Sequence, residues 1–119
     1  MSCNGNMELR IKPHDQNISY IALIGRLDLP GVQQIELKFT ANTVTQRKPT
    51  LVDLSELEYI ASLGLRMFIT AAKALHLHGL RLVLLRPQPQ VEEVFRAAGF
   101  DQLIPVEHIE EQALKHFNP

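Results

Sequence analysis

Hydrophobic positions along the chain change their period several times, and each change marks an element. Met7, Leu9 and Ile11 alternate with Glu8, Arg10 and Lys12. That period of two predicts a strand with one solvated face, as at a sheet edge. Pro13-His14-Asp15-Gln16-Asn17 reads as a turn. From Ile18 to Ile24 every residue but Ser19 is apolar or aromatic, which predicts a central strand covered on both faces. Gly25 to Gly31 ends it. A helical period follows from Val32 to about Gln46, carried by Val32, Ile35, Leu37, Phe39 and Val44. Thr40, Thr43 and Thr45 weaken its end, and Lys48-Pro49 breaks it.

Thr50 to Leu54 predicts a third strand, buried in character, which runs through a short polar connection to Tyr59-Ile60 and then to Ala61-Ser62-Leu63-Gly64. Leu65 to Leu77 reads as one helix. Leu65, Phe68, Ile69, Ala72 and Leu75 form an apolar stripe, with Met67, Ala71 and Ala74 as a second stripe beside it. Arg66, Thr70, Lys73 and Leu77 occupy the remaining side, and Gly79 is placed to cap the end. Leu80 to Leu85 predicts another buried strand. Gln90 to Ala98 is a helix with Val91, Val94 and Phe95 inward, stopped at Gly99. Leu103 to Val106 predicts a short edge strand marked by Pro105, and His108 to Phe117 a last helix. Strands alternating with helices imply a mainly parallel sheet, with right-handed crossovers putting most helices on one face.

Composition narrows the functional classes. A chain of 119 residues with 45% apolar residues is expected to form one globular domain. Its formal net charge of -1 gives no basic field for nucleic acid, and 6% aromatics without Trp leave little for base stacking. Cys3 is the only cysteine, so neither an intrachain disulfide nor a cysteine zinc site is expected. No apolar run approaches the ~20 residues of a membrane span. Residues 1–6 contain neither a basic region nor an apolar core, so no signal peptide is expected and a cytoplasmic location is the default.

Candidate chemistry concentrates at Ser62. A serine at a helix start after a strand sits beside free backbone N–H groups and the positive end of the helix dipole, a setting that suits an acquired phosphate. Its other reading is an N-cap, without a Glu or Gln at the following N3 position to complete a capping box. Gly64 either answers a sterically tight turn or lets a partner approach Ser62. Leu63 and Met67 are either a small apolar contact patch or core. Asp28 is either a turn or helix-capping residue ahead of Pro30 or an acidic contact to a partner. Asp53, inside an apolar strand, reads as a hydrogen-bonded structural carboxylate. His76 and His78 face different ways and make no metal pair. No nucleophilic triad, paired carboxylates or phosphate-cradling glycines can be assembled, so neither catalysis nor a cofactor is expected.

The layout resembles the STAS domain, the fold of bacterial anti-sigma factor antagonists, over about residues 7–117. The resemblance rests on Gly25-x-Leu27-Asp28, Val52-Asp53-Leu54-Ser55, Ser62-x-Gly64-Leu65, Gly79-x-x-Leu82-x-Leu84, Pro89-x-Val91 and Val94-Phe95-x-x-Ala98-Gly99-Phe100 in that order. It implies a single STAS domain with about four helices packed largely on one face of the sheet. It also implies partner switching. The unphosphorylated antagonist binds an anti-sigma factor and serine kinase of the histidine-kinase ATPase fold, that kinase phosphorylates the matching serine, Ser62, and a serine phosphatase resets the system.

The partner face implied by the resemblance comprises Asp28, Ala61, Ser62, Leu63, Gly64, Arg66 and Met67. Ala61 stands where the family usually has Asp, and Leu63 where it has a small residue. Losing the carboxylate removes one like charge from a future phosphate, and also removes an acidic recognition feature. Two further readings keep the fold without the switch: a constitutive STAS adaptor subunit of a transporter or signalling assembly, and a small-ligand module using a cleft near Asp28.

Overall fold

Apolar runs of four or five residues cannot bury both faces alone, so the strands of this chain gather into one sheet and the amphipathic helices close over it. A computed structural model describes residues 7–14 and 17–117. Cys3 with the other N-terminal positions, and Asp15 and Gln16 of the first expected turn, lie outside the described residues. The chain runs β1 (Glu8–Ile11), β2 (Ser19–Leu27), α1 (Leu29–Asn42), β3 (Thr50–Asp53), β4 (Leu57–Ile60), α2 (Ser62–Leu77), β5 (Leu82–Leu85), α3 (Pro89–Ala97), β6 (Val106–Glu107) and α4 (Glu110–Lys115). The strand order is β1-β2-β3-β5-β6, with β1 antiparallel to β2 and the other neighbours parallel.

Strand β2 serves two partners in succession. Ser19 to Ala22 pair with β3, whereas Gly25 to Leu27 pair with β4, and the register shifts between Gly25 and Arg26. Gly25 has φ 113°, a conformation that side chains other than glycine rarely adopt, and it allows the strand to bend from one partner to the other. β4 was not expected: residues 55–58 read as a polar connection. Leu57 and Ile60 point inward and Glu58 and Tyr59 outward, so the segment lacks the alternation by which a strand is recognised.

Helices α1, α2 and α3 cover the sheet face that carries Ile21, Leu23, Val52, Leu82 and Leu84. Phe68 of α2 is the centre of this layer, with its ring 5.7 Å from Phe39, 6.3 Å from Phe100 and 6.5 Å from Phe95. Each such fully buried side chain contributes about 1.5–3 kcal/mol relative to exposure. The opposite face, Tyr20, Leu51, Val83 and Leu85, packs on Ala113 of the short α4. The sheet therefore has three helices on one side and one on the other, in keeping with the largely one-sided layout expected.

Several boundaries move. α1 begins at Leu29, earlier than expected, because Asp28 caps it: its Oδ1 accepts from the Gly31 amide at 2.9 Å. The helix ends at Asn42, also earlier than expected, where Thr43 (φ -118°, ψ -81°) leaves the helical backbone. Leu37, counted into the apolar period, is exposed. α2 begins at Ser62, a turn before Leu65. The last strand is Val106–Glu107, preceded by a 3-10 turn at Phe100–Gln102.

Candidate functional site

The bend in β2 brings two helix starts together. Leu27 faces Ile60 across the β2–β4 pair, and the Ala61 amide donates to the Leu27 carbonyl at 3.0 Å. The chain thus leaves the sheet twice at adjacent points, once through Asp28 into α1 and once through Ala61 into α2. The two helix starts share one geometry. Asp28 (φ -94°, ψ -169°) and Ala61 (φ -105°, ψ 175°) are extended N-caps, followed three residues later by Gly31 and Gly64. They differ at the cap. Asp28 supplies a side-chain acceptor, whereas Ala61 supplies none, and neither helix has an acid in its first turn.

Ser62 is therefore the first helical residue and not the N-cap, which corrects the capping reading of this serine. It is exposed and its side chain makes no cap hydrogen bond. The amides of Gly64 and Leu65 both donate to the Ala61 carbonyl, at 2.9 and 3.1 Å. The amides of the first turn that precede them are the donors an α-helix leaves without an internal acceptor. An anion on Ser62 would meet those donors and the positive end of the dipole.

The surroundings of Ser62 are mixed. Leu63 and Arg66 are exposed beside it and one turn further on. Leu29 and Tyr59, not singled out from the sequence, also present apolar surface at this end of the molecule, 51% and 40% exposed. The Arg26 guanidinium lies over the Tyr59 ring, 4.4 Å from its centroid, with its Nε 3.7 Å from Asp28 Oδ2. Leu29 gave no periodic signal next to Pro30, and Tyr59 was hidden by the unrecognised β4. The signal that finds Arg26 and Tyr59 is their pairing opposite one another in the β2–β4 register.

Two of the expected contact residues belong to the interior. Met67 is 6% exposed and lies in the main core, so it offers no contact patch. Gly64 is buried, and a Cβ there would come within 2.9 Å of Ile60 Cγ1 and of Leu27 Cγ and Cδ2. The glycine thus answers the close approach of α2 to its own sheet. Asp28 realises the capping role while remaining partly exposed.

Asp53 is the buried structural carboxylate its strand position implied. Its Oδ2 accepts from Lys12 Nζ at 2.9 Å and its Oδ1 from the Ser55 amide at 2.9 Å. Burial pushes its pKa up, but the Lys12 and Ser55 hydrogen bonds outweigh this and hold it below the usual value. The bond to Asp53 raises Lys12 in turn, against its partial burial, with help from Tyr20. This pair lies on the α4 side of the sheet and takes no part in the surface around Ser62. Among the described residues no group of three His, Cys, Asp or Glu could hold a metal ion, and no helix is long and apolar enough to cross a membrane.

Comparison with known proteins places the family and the fold. The family model described as the STAS domain matches residues 10–113. BtrV of Bordetella bronchiseptica, named for a proposed anti-sigma factor antagonist role, is 34% identical over 95 residues, covering 80% of this chain and 82% of that protein. An anti-sigma factor antagonist from Mycobacterium paratuberculosis matches in structure over 100% of both chains, with a TM-score of 0.80 and 18% identity. The Bacillus protein SpoIIAA in its phosphorylated form matches with a TM-score of 0.67 and 22% identity, over 92% of this chain and 98% of that one. At these identities the two structural matches speak for the fold.

Proposed function

The chain belongs to the STAS-domain family, and we propose that it is a cytoplasmic anti-sigma factor antagonist that works by partner switching at Ser62. The observation that carries this reading is the position of that serine. It is an exposed hydroxyl at the first residue of α2, uncommitted to capping, in a first turn without acids and beside the exposed Leu29, Tyr59 and Leu63. The antagonist role named for BtrV supports the partner class.

In the unphosphorylated state this apolar rim, with Asp28 and Arg66, docks an anti-sigma factor that is also a serine kinase of the histidine-kinase ATPase fold. Phosphoryl transfer joins the γ-phosphorus of the partner's nucleotide to Ser62 Oγ, releases the nucleoside diphosphate and passes the hydroxyl proton to the kinase. The product carries a charge of about -1.5 to -2. The helix start tolerates that charge, and Arg66, one turn along, can pair with it. A docked apolar partner surface does not, so the complex dissociates until a serine phosphatase removes the group. Ala61 removes a like charge that would oppose the phosphate.

A second reading, a constitutive adaptor in a transporter or signalling assembly, draws on the same Ala61 and on Leu63, since both depart from the phosphorylated pattern of the family. Calorimetric titration of the anti-sigma factor with the wild-type chain and with Ser62→Ala, Ser62→Asp and Ser62→Glu separates the two. The switch requires Ser62→Ala to bind like wild type and to stay bound under kinase and ATP. It also requires the acidic variants to bind about tenfold or more weakly. Equal affinity across all four proteins would leave the adaptor.

A further inference from the structure

The far end of α2 carries a second feature, independent of Ser62. An open groove of about 580 Å³ runs between the C-terminal half of α2 and the loop that precedes β6. Its helical wall is Ile69, Ala72, Lys73, His76 and Leu77, the i, i+3, i+4, i+7 and i+8 positions of one helix face. Leu80, Leu82, Ile104 and Pro105 line it further. Two leucines stand at its edges exposed to water, Leu77 at 84% and Leu103 at 66%. The charged side chains of the lining are Lys73 and Arg81, no acid is among them, and neither makes an ion pair among the described residues.

We infer that this groove docks an amphipathic helix of a partner protein, one whose apolar face is flanked by carboxylates. Charge complementarity fixes the sign: the lining offers cations without an acid, and among the described residues no carboxylate pairs with them. Shape selects a helix. Strand addition is hindered, because β6 already pairs with Leu84 and Leu85 of β5 and, just ahead of it, Pro105 has no N–H to offer. A small molecule in the floor would leave Leu77 and Leu103 in water, whereas a helix about 10–12 Å across covers both edges. Lys73 lies about 16 Å along the α2 axis from Ser62, roughly twice the Debye length of about 8 Å at physiological ionic strength. Phosphate on Ser62 therefore leaves this surface unchanged, and a partner held here stays bound while the Ser62 face exchanges its own.

The test uses the full chain, isotope-labelled, and a designed helical peptide of roughly 18 residues, about five turns, with leucines at i, i+3, i+4 and i+7 flanked by glutamates. A counterpart carries lysines for the glutamates. The inference predicts that the glutamate peptide shifts the amide resonances of Ile69, Leu77, Leu80 and Leu103 and that binding weakens with added salt. Leu77→Glu, and separately Lys73→Glu with Arg81→Glu, weaken it about tenfold, while Ser62→Glu has no effect. These are surface positions, and unchanged melting temperatures confirm that the variants fold. Equal binding of both peptides, shifts confined to the Ser62 end, or no response to the groove variants would overturn the inference. So would self-association of the chain abolished by Leu77→Glu, or occupation of the groove by dodecanoate monomers with no binding of the peptide.

Discussion

Replacing Ala61 by Asp should stabilise the protein, and the molecule contains its own template for why. Asp28 caps α1 from a backbone conformation within 20° of that of Ala61, and its carboxylate accepts from the N3 amide at 2.9 Å. Ala61 is partly exposed and precedes a first turn without acids, so the carboxylate of Ala61→Asp can accept from the free Leu63 amide, or share the Gly64 amide that now donates to the residue 61 carbonyl, without burying charge. A side-chain cap contributes about 0.5–2 kcal/mol, and an acid at the helix start adds about 0.3–1 kcal/mol through the dipole. The expected gain is therefore about 1–2 kcal/mol, or roughly 4–10 °C in Tm for a chain of this size. Ala61→Asn, which caps without charge, should recover most of it, with the difference between the two variants shrinking in salt. Thermal and urea melts of the three proteins make the measurement. A folded Ala61→Asp variant with unchanged or lowered stability would refute the assignment of residue 61 as an extended, uncapped N-cap.

Gly64→Ala pits a helix-propensity gain of up to about 1 kcal/mol against overpacking of about 1–3 kcal/mol. Because the new methyl would meet the fully buried Leu27 at its branching carbon, overpacking should win and urea melts should show a net loss of about 1–2 kcal/mol. Asp28→Ala should cost about 0.5–2 kcal/mol through the lost cap, whereas Asp28→Asn keeps the cap; a partner that binds Asp28→Asn poorly despite wild-type stability recognises the charge. The Lys12–Asp53 pair sets two pH limits. Asp53, held below its usual pKa, contributes stability that is present above about pH 4 and lost as pH falls through its folded value. Lys12, held above its usual pKa, contributes stability that is present below about pH 10 and lost as pH rises through its folded value. Lys12→Met should cost about 1–3 kcal/mol at neutral pH by leaving Asp53 without its cation, and acid titration of the variant should begin unfolding at higher pH than wild type.

Elements with a strong single period were legible in the chain. α2, α3, β3 and β5 follow from their apolar spacing, and the parallel sheet follows from the alternation of strands and helices. β4 was not legible, because four residues buried only at their ends carry neither helical nor strand period. The start of α2 followed it out of view, since it is β4 that delivers residue 61 in extended form beside Leu27. Met67 shows the same limit at the site. Two adjacent apolar stripes on one helix left open which faced the sheet, and the buried face runs between them through Met67, Phe68, Ala71 and Leu75. The placement of α4 on the opposite face depends on contacts with Tyr20, Leu51 and Val83 that no local pattern reports. Ser62 and Asp28 were found because a motif names them. Arg26, Leu29 and Tyr59 were missed because only tertiary pairing assembles them.

The central claim is that Ser62 carries a phosphate whose occupancy changes with the state of the cell. Phosphopeptide mass spectrometry on the protein purified from its native cells under several growth conditions, with Ser62→Ala as control, tests it directly. The switch predicts a phosphopeptide assigned to Ser62, varying in occupancy between conditions and absent from the control. Unmodified Ser62 in every condition, with the chain held throughout in one stable complex, would contradict the switch and establish the adaptor in its place.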